Sequence, residues 1–119
     1  MSLEYSPGGL VGLLTPQANT TAEAEFQILL PQGVGMVNGR LVSHAPELHD
    51  RLQDYFANLD LHTAQFGDAP INVLGLAVTG ASYFMGLAKE AELLQRISLS
   101  RGVQVISAGW AVRQCLTLL

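Results

Sequence analysis

The run Gly-Leu-Val-Gly-Leu-Leu-Thr-Pro, residues 9 to 16, sets the tightest limit on how this chain can fold. Leu10 to Leu14 is continuously apolar between Gly8-Gly9 and Pro16. A strand with one face in water alternates apolar and polar residues, so an unbroken run fits a strand covered on both faces, which is how parallel sheets are built.

The rest of the chain supplies what such a sheet needs. Asn19-Thr20-Thr21-Ala22-Glu23 carries the S/T-x-x-E spacing of a capping box in Thr20 and Glu23, and Phe26, Leu29 and Leu30 follow at helical spacing until Pro31 and Gly33. A helix from about Thr21 to Leu30 is expected. Val34 to Val42 reads as a second strand carrying Asn38, Gly39 and Arg40, and Ser43 with Pro46 opens a long helix with the stripe Leu48, Leu52, Tyr55 or Phe56, and Leu59. Asp68-Ala69-Pro70 turns the chain into a third strand, Ile71 to Val78. Ala88 to Arg101 is a helix with Ala91, Leu94 and Ile97 inward and Gly102 past its end; Val103 to Ile106 is a fourth strand. A last helix from Trp110 has the apolar stripe Val112, Cys115, Leu116 and Leu119.

Strands alternating with helices imply right-handed crossovers and a four-stranded parallel sheet with helices on both faces, an α/β fold of Rossmann-like or flavodoxin-like type spanning residues 1–119 as one domain. Ligands bind such sheets at the carboxyl ends of the strands. The candidate site is therefore the set of segments after each strand: Thr15 to Thr21, Ser43-His44, Thr79 to Ser82, and Ser107 to Trp110.

Composition removes several function classes. Six basic against ten acidic residues give a mildly acidic chain without the positive footprint that holds a phosphate backbone, so no nucleic-acid partner is expected. No stretch approaches the roughly 18 apolar residues of a membrane span, and the start lacks the features of a secretory signal; no membrane partner and a cytoplasmic location are expected. Cys115 is alone, and His44, His49 and His62 are isolated, so no metal site is expected. Cys115 reads as a buried structural thiol on the last helix. Lys89, the single lysine, opens the charged stretch Lys89, Glu90, Glu92, which reads as a solvated face rather than a Schiff-base site.

The candidate segments carry no phosphate loop, since Thr15-Pro16-Gln17-Ala18-Asn19 has neither G-x-G-x-x-G nor G-x-x-x-x-G-K, and Gly33-x-Gly35 precedes a strand. No nucleophile-base pair is legible either: His44 sits at a helix start, and His49 and His62 read as surface or half-buried helix residues. What remains is Thr79-Gly80-Ala81-Ser82 and Asn19-Thr20-Thr21, where hydroxyls and helix-start N–H groups can hold a carboxylate or a developing enediolate, or simply cap helices.

GLLTPQANTTAEAEFQILLPQGV resembles the opening of the aspartate/glutamate racemase superfamily, in its maleate isomerase and arylmalonate decarboxylase branch, and INVLGLAVTGASYFMG resembles that family's third-strand motif, usually Ala-Cys-Thr-Ser-Gly-Ser. GVQVISAGWAV is similar to its fourth strand and following helix. The resemblance implies an enzyme of two pseudo-symmetric α/β halves with the site between them, needing no cofactor, and a small dicarboxylate or aryl-carboxylate substrate. It places Val78 at the first-half cysteine position, Thr79 at the motif threonine, Gly80 where serine is usual and Ser82 at the later serine. Thr79, Gly80 and Ser82 would then stabilise an anion, while Pro16, Asn19, Thr20 and Arg40 would bind substrate, with a salt bridge as the other reading of Arg40.

Val78 has no proton to exchange, which goes against a two-cysteine racemase or a maleate isomerase and leaves the decarboxylase branch, which also lacks this cysteine. Members of the family it resembles run to about twice this length, so the resemblance implies either the first half of a longer polypeptide or a free-standing half, and a homo-oligomer is a further expectation. The expectation is a cofactor-independent decarboxylase, isomerase or racemase-like enzyme acting at carbon next to a carboxylate. The alternative is a non-catalytic α/β half-domain that binds a small carboxylate or dimerises.

Overall fold

A computed structural model describes residues 3–119. Its strands are β1 (Gly9–Pro16), β2 (Val34–Leu41), β3 (Val73–Leu76) and β4 (Gln104–Ser107). The helices are α1 (Ala22–Leu29), α2 (Leu48–Ala57), α3 (Leu59–Thr63), α4 (Thr79–Met85), α5 (Leu87–Arg101) and α6 (Ala108–Thr117), with a 3₁₀ turn at Ala64–Phe66.

All pairings are parallel, in the order β2-β1-β3-β4. The α/β architecture expected from the apolar runs is the one observed. β1 lies inside the sheet, paired on both sides, and this is why its apolar run is unbroken: Leu13 and Leu14 point to opposite faces and both are fully buried.

The core lies on one face, where Leu14, Leu74, Leu76 and Val105 of the strands meet Leu52, Tyr55 and Phe56 of α2, Leu59 of α3, and Leu94 and Ile97 of α5. The opposite face carries Val11, Leu13, Val73 and Ile106, with Phe26 of α1 and Ala111 and Val112 of α6 at its margins; between the two helices a groove of about 390 Å³ stays open. Along the free side of β2, Gln65 accepts a hydrogen bond from the Arg40 N–H and donates to the Arg40 carbonyl, so a side chain stands in for a missing strand.

Several local expectations change. The capping box is absent: Asn19 Oδ1 accepts from the N–H groups of Thr21 and Ala22, while Glu23 turns to Arg40. The second helix breaks at Asn58 into α2 and α3, and Leu48 stays 64 % exposed because α2 begins there, beyond the core. Gly86, at φ 83°, divides the segment after β3 into α4 and α5, a backbone state that glycine enters without strain. On α5 Ala91 is exposed, and the inward position one turn before Leu94 is taken by Glu90, only 2 % exposed rather than solvated. His62 is buried as well. Cys115 is exposed: the α6 stripe exists in sequence, but among the described residues nothing covers it.

Candidate functional site

In the order β2-β1-β3-β4 the chain leaves β1 toward β2, then returns across β1 to β3, so the direction of winding reverses between β1 and β3. Loops that leave neighbouring strands in opposite directions open a crevice at the carboxyl ends, where open α/β sheets take their ligands. The register aligns those ends: Leu14 pairs with Leu76, and Leu76 with Ser107. Two of the expected segments, Thr15 to Thr21 and Thr79 to Ser82, flank this reversal, and Ser43-His44 and Ser107 to Trp110 lie at the ends of the outer strands.

On the β1 side the loop is tied down by one guanidinium. Arg40 Nη1 donates to Thr15 Oγ1 at 2.9 Å, to the Pro16 carbonyl at 3.2 Å and to the Asn19 carbonyl, and Nη2 pairs with Glu23 Oε1 at 2.7 Å. The salt bridge weighed for Arg40 is thus present. Asn19 spends its side-chain oxygen on the start of α1. Thr20 is exposed and Pro16 half-buried. Sequence reasoning passed over Gln17, whose Oε1 accepts from the Ser43 N–H at 2.7 Å and the Tyr55 hydroxyl at 3.2 Å and so joins the loops after β1 and β2. Its one signal was its place inside Pro-Gln-Ala-Asn.

On the β3 side Val78 is 5 % exposed and extended, and α4 begins at Thr79, which is exposed. No side chain caps this helix, leaving its first N–H groups to water or a ligand. Gly80 has a packing reason for its missing side chain: a β-carbon there would lie 3.1 Å from Leu52 Cδ1 of α2. Ser82 is 4 % exposed, packs on Gly109 of α6, and its Oγ has no hydrogen-bond partner.

The histidines lie elsewhere. His44 is exposed, and His49 packs edge-on against Phe84 with ring centroids 4.5 Å apart. His62 sits in α3, and its burial lowers its pKa below the usual histidine value, so the neutral imidazole is favoured. Ser43, which donates to Asp54 Oδ2 at 2.5 Å, is committed to the turn into α2. Among the described residues no group of three His, Cys, Asp or Glu is placed to hold a metal ion, and no helix is long and apolar enough to cross a membrane.

Solved structures with this architecture include two enzymes. An arylmalonate decarboxylase double mutant in its liganded form, in which a glycine is replaced by cysteine and a cysteine by serine, superposes with a TM-score of 0.74 over 93 % of this chain and 46 % of its own, at 20 % identity. The chain has the fold of half such an enzyme. The maleate isomerase Iso from Pseudomonas putida S16 matches with a TM-score of 0.69 over 87 % of this chain and 46 % of its own, also at 20 % identity. These structural neighbours carry the names of the branch whose motifs the sequence resembles, and this chain spans about half the length of each. No protein-family profile matches the sequence, and no curated protein is significantly similar to it.

Proposed function

We propose that residues 1–119 form a single α/β domain that is one half of a cofactor-independent enzyme of the aspartate/glutamate racemase superfamily, with decarboxylation next to a carboxylate as its nearest chemistry. One observation carries this reading: the half-length fit to the arylmalonate decarboxylase includes nearly the whole chain. The motif residues Val78 to Ser82 also follow the strand at which the sheet reverses.

In such a reaction the bond from the α-carbon to one carboxyl carbon breaks, carbon dioxide leaves, and the electron pair spreads into the remaining carboxylate as an enediolate. The Thr79 hydroxyl and the N–H groups of Thr79 and Gly80 are donors for that oxyanion, and preorganised donors of this kind act where charge develops. Ser82, packed on α6, is left out of this role. Thr20, Pro16 and Asn19 bound the crevice on the substrate-carboxylate side, and Arg40 fixes their loop. The proton that restores the carbon must come from the other half, because Val78 has none to give.

Val78 is also the ground for the second reading, a non-catalytic half-domain that holds a small carboxylate. Carbon dioxide release from phenylmalonate by the native gene product separates the two. The enzyme reading predicts turnover that Thr79→Ala lowers about 10²- to 10³-fold, the usual effect of losing one oxyanion donor. A folded product that releases no carbon dioxide, or a Thr79→Ala variant with undiminished turnover, would contradict it.

A further inference from the structure

The apolar side of α6 has no partner among the described residues. Ala108, Ala111, Val112, Cys115, Leu116 and Leu119 recur at intervals of three and four and so share one side of the helix. The stripe is about 18 Å long at 1.5 Å of rise per residue. Its first part, Ala108, Ala111 and Val112, walls the open groove on the sheet. It then continues as Cys115, Leu116 and Leu119, all exposed, and the bonds from the Leu118 and Leu119 N–H groups to the Cys115 and Leu116 carbonyls carry the turn to its end. Arg113, the one charged residue of α6, lies with Ser82 and Glu90 on the side of α4 and α5, away from the stripe.

The exposed area calls for a cover. This chain exposes 7404 Å², whereas a compact monomer of its 12.7 kDa exposes about 6,200 Å². The excess of about 1,200 Å² is larger than the roughly 800 Å² that each partner brings to a standard interface. Parallel sheets are ordinarily covered on both faces, and the groove between α1 and α6 is where this one is not. The stripe is also graded in size: small Ala108 and Ala111 at the start of α6, Val112 and Cys115 in the middle, Leu116 and Leu119 at the end. A second α6 laid antiparallel brings the large end of each helix to the small end of the other, with Leu119 opposite Ala108, Leu116 opposite Ala111 and Cys115 opposite Val112. The surface is thus complementary to itself, as a twofold axis requires.

We infer that two copies of this chain associate through α6, packed antiparallel about a twofold axis between Val112 and Cys115, so that Leu116 and Leu119 of each copy cover the groove beside Ala108 and Ala111 of the other. One helix and the groove beside it form the whole contact, so the dimer dissociates on dilution and leaves Cys115 open. The inference does not rest on the enzymatic reading: association is measured without turnover, so either can fail while the other stands.

The test is sedimentation equilibrium of the native gene product over a range of concentrations, with variants that exchange the paired sizes. The mass should rise with concentration to twice that of the monomer, and a short bismaleimide should join two chains in a cross-link that Cys115→Ser abolishes. Leu116→Ala and Ala111→Leu should each weaken association about tenfold, the first by leaving a hole opposite Ala111 and the second by crowding Leu116. The double variant should restore it, because each pair again sets a large residue against a small one. Leu116→Lys, at an exposed position, should abolish the dimer and keeps the test open if Ala111→Leu does not fold. A native product that stays monomeric at every concentration, including one in which a second half covers α6, overturns the inference. So does a dimer that Leu116→Lys leaves intact, that Ala111→Leu strengthens as a nonspecific apolar contact would, or that gives no cross-link through Cys115.

Discussion

Arg40 does the work of several residues: its guanidinium gathers a hydroxyl, two carbonyls and a carboxylate from the end of β1, the loop after it and the start of α1. Hydrogen bonds made by a charged group are the strong ones, so Arg40→Met should lower stability by about 1.5–3 kcal/mol in chemical denaturation. Arg96 offers the contrast, since its pair with Asp60 is more than half exposed on both sides. Arg96→Met should cost about 0–1 kcal/mol, and equal losses in the two variants would argue against the loop-fixing role of Arg40. His62 adds a pH dependence with a definite sign. Burial lowers its folded-state pKa, so the unfolded chain binds the proton more readily. Stability should therefore fall as pH drops below about 6.5, the ordinary histidine value, and go on falling until the folded imidazole also titrates. His62→Gln should flatten that part of the thermal-denaturation profile; an unchanged slope would assign it to another group.

At the scale of elements, the strands and the order of helices were legible because an unbroken apolar run leaves a buried parallel strand few alternatives. The ends of elements were less so, for local reasons. Asn19, not Thr20, turned out to cap α1, because an Asx side chain bonds the backbone two and three residues on as readily as a hydroxyl does. Asn19→Ala should cost about 1 kcal/mol, while Thr20→Ala, at an exposed residue, should change stability little. Glu90 was missed because charge predicts solvent, and nothing in Lys89-Glu90-Ala91-Glu92 says that Ser107 would meet it. For the candidate site, the segments were readable from the fold rule, whereas the hydrogen-bond partners of Arg40 and Gln17 and the packing of Ser82 on Gly109 come from elements distant in sequence. The α6 stripe misled in the other direction: its helical spacing is real, but Val112, Leu116 and Leu119 are 41 %, 62 % and 101 % exposed. Cys115 should accordingly react with a thiol reagent in the native state at a rate close to that of the unfolded chain; strong protection would show that α6 is covered in solution.

At the scale of the whole molecule, one sheet face is packed and the other is open between α1 and α6, and the two matched enzymes are each about twice as long as the matched part. The site proposed between the β1 and β3 loops would offer N–H donors to an anion but, at Val78, no proton for a carbon. The proposal that this chain is half of a larger enzyme assigns the closing of the site and the supply of the acid to the other half. The most direct test is the intact mass of the native gene product taken from its own source. The account predicts a polypeptide of about twice 12.7 kDa, with a second α/β half in the same chain. A native product of 12.7 kDa would contradict it and leave the non-catalytic carboxylate-binding domain as the reading that fits.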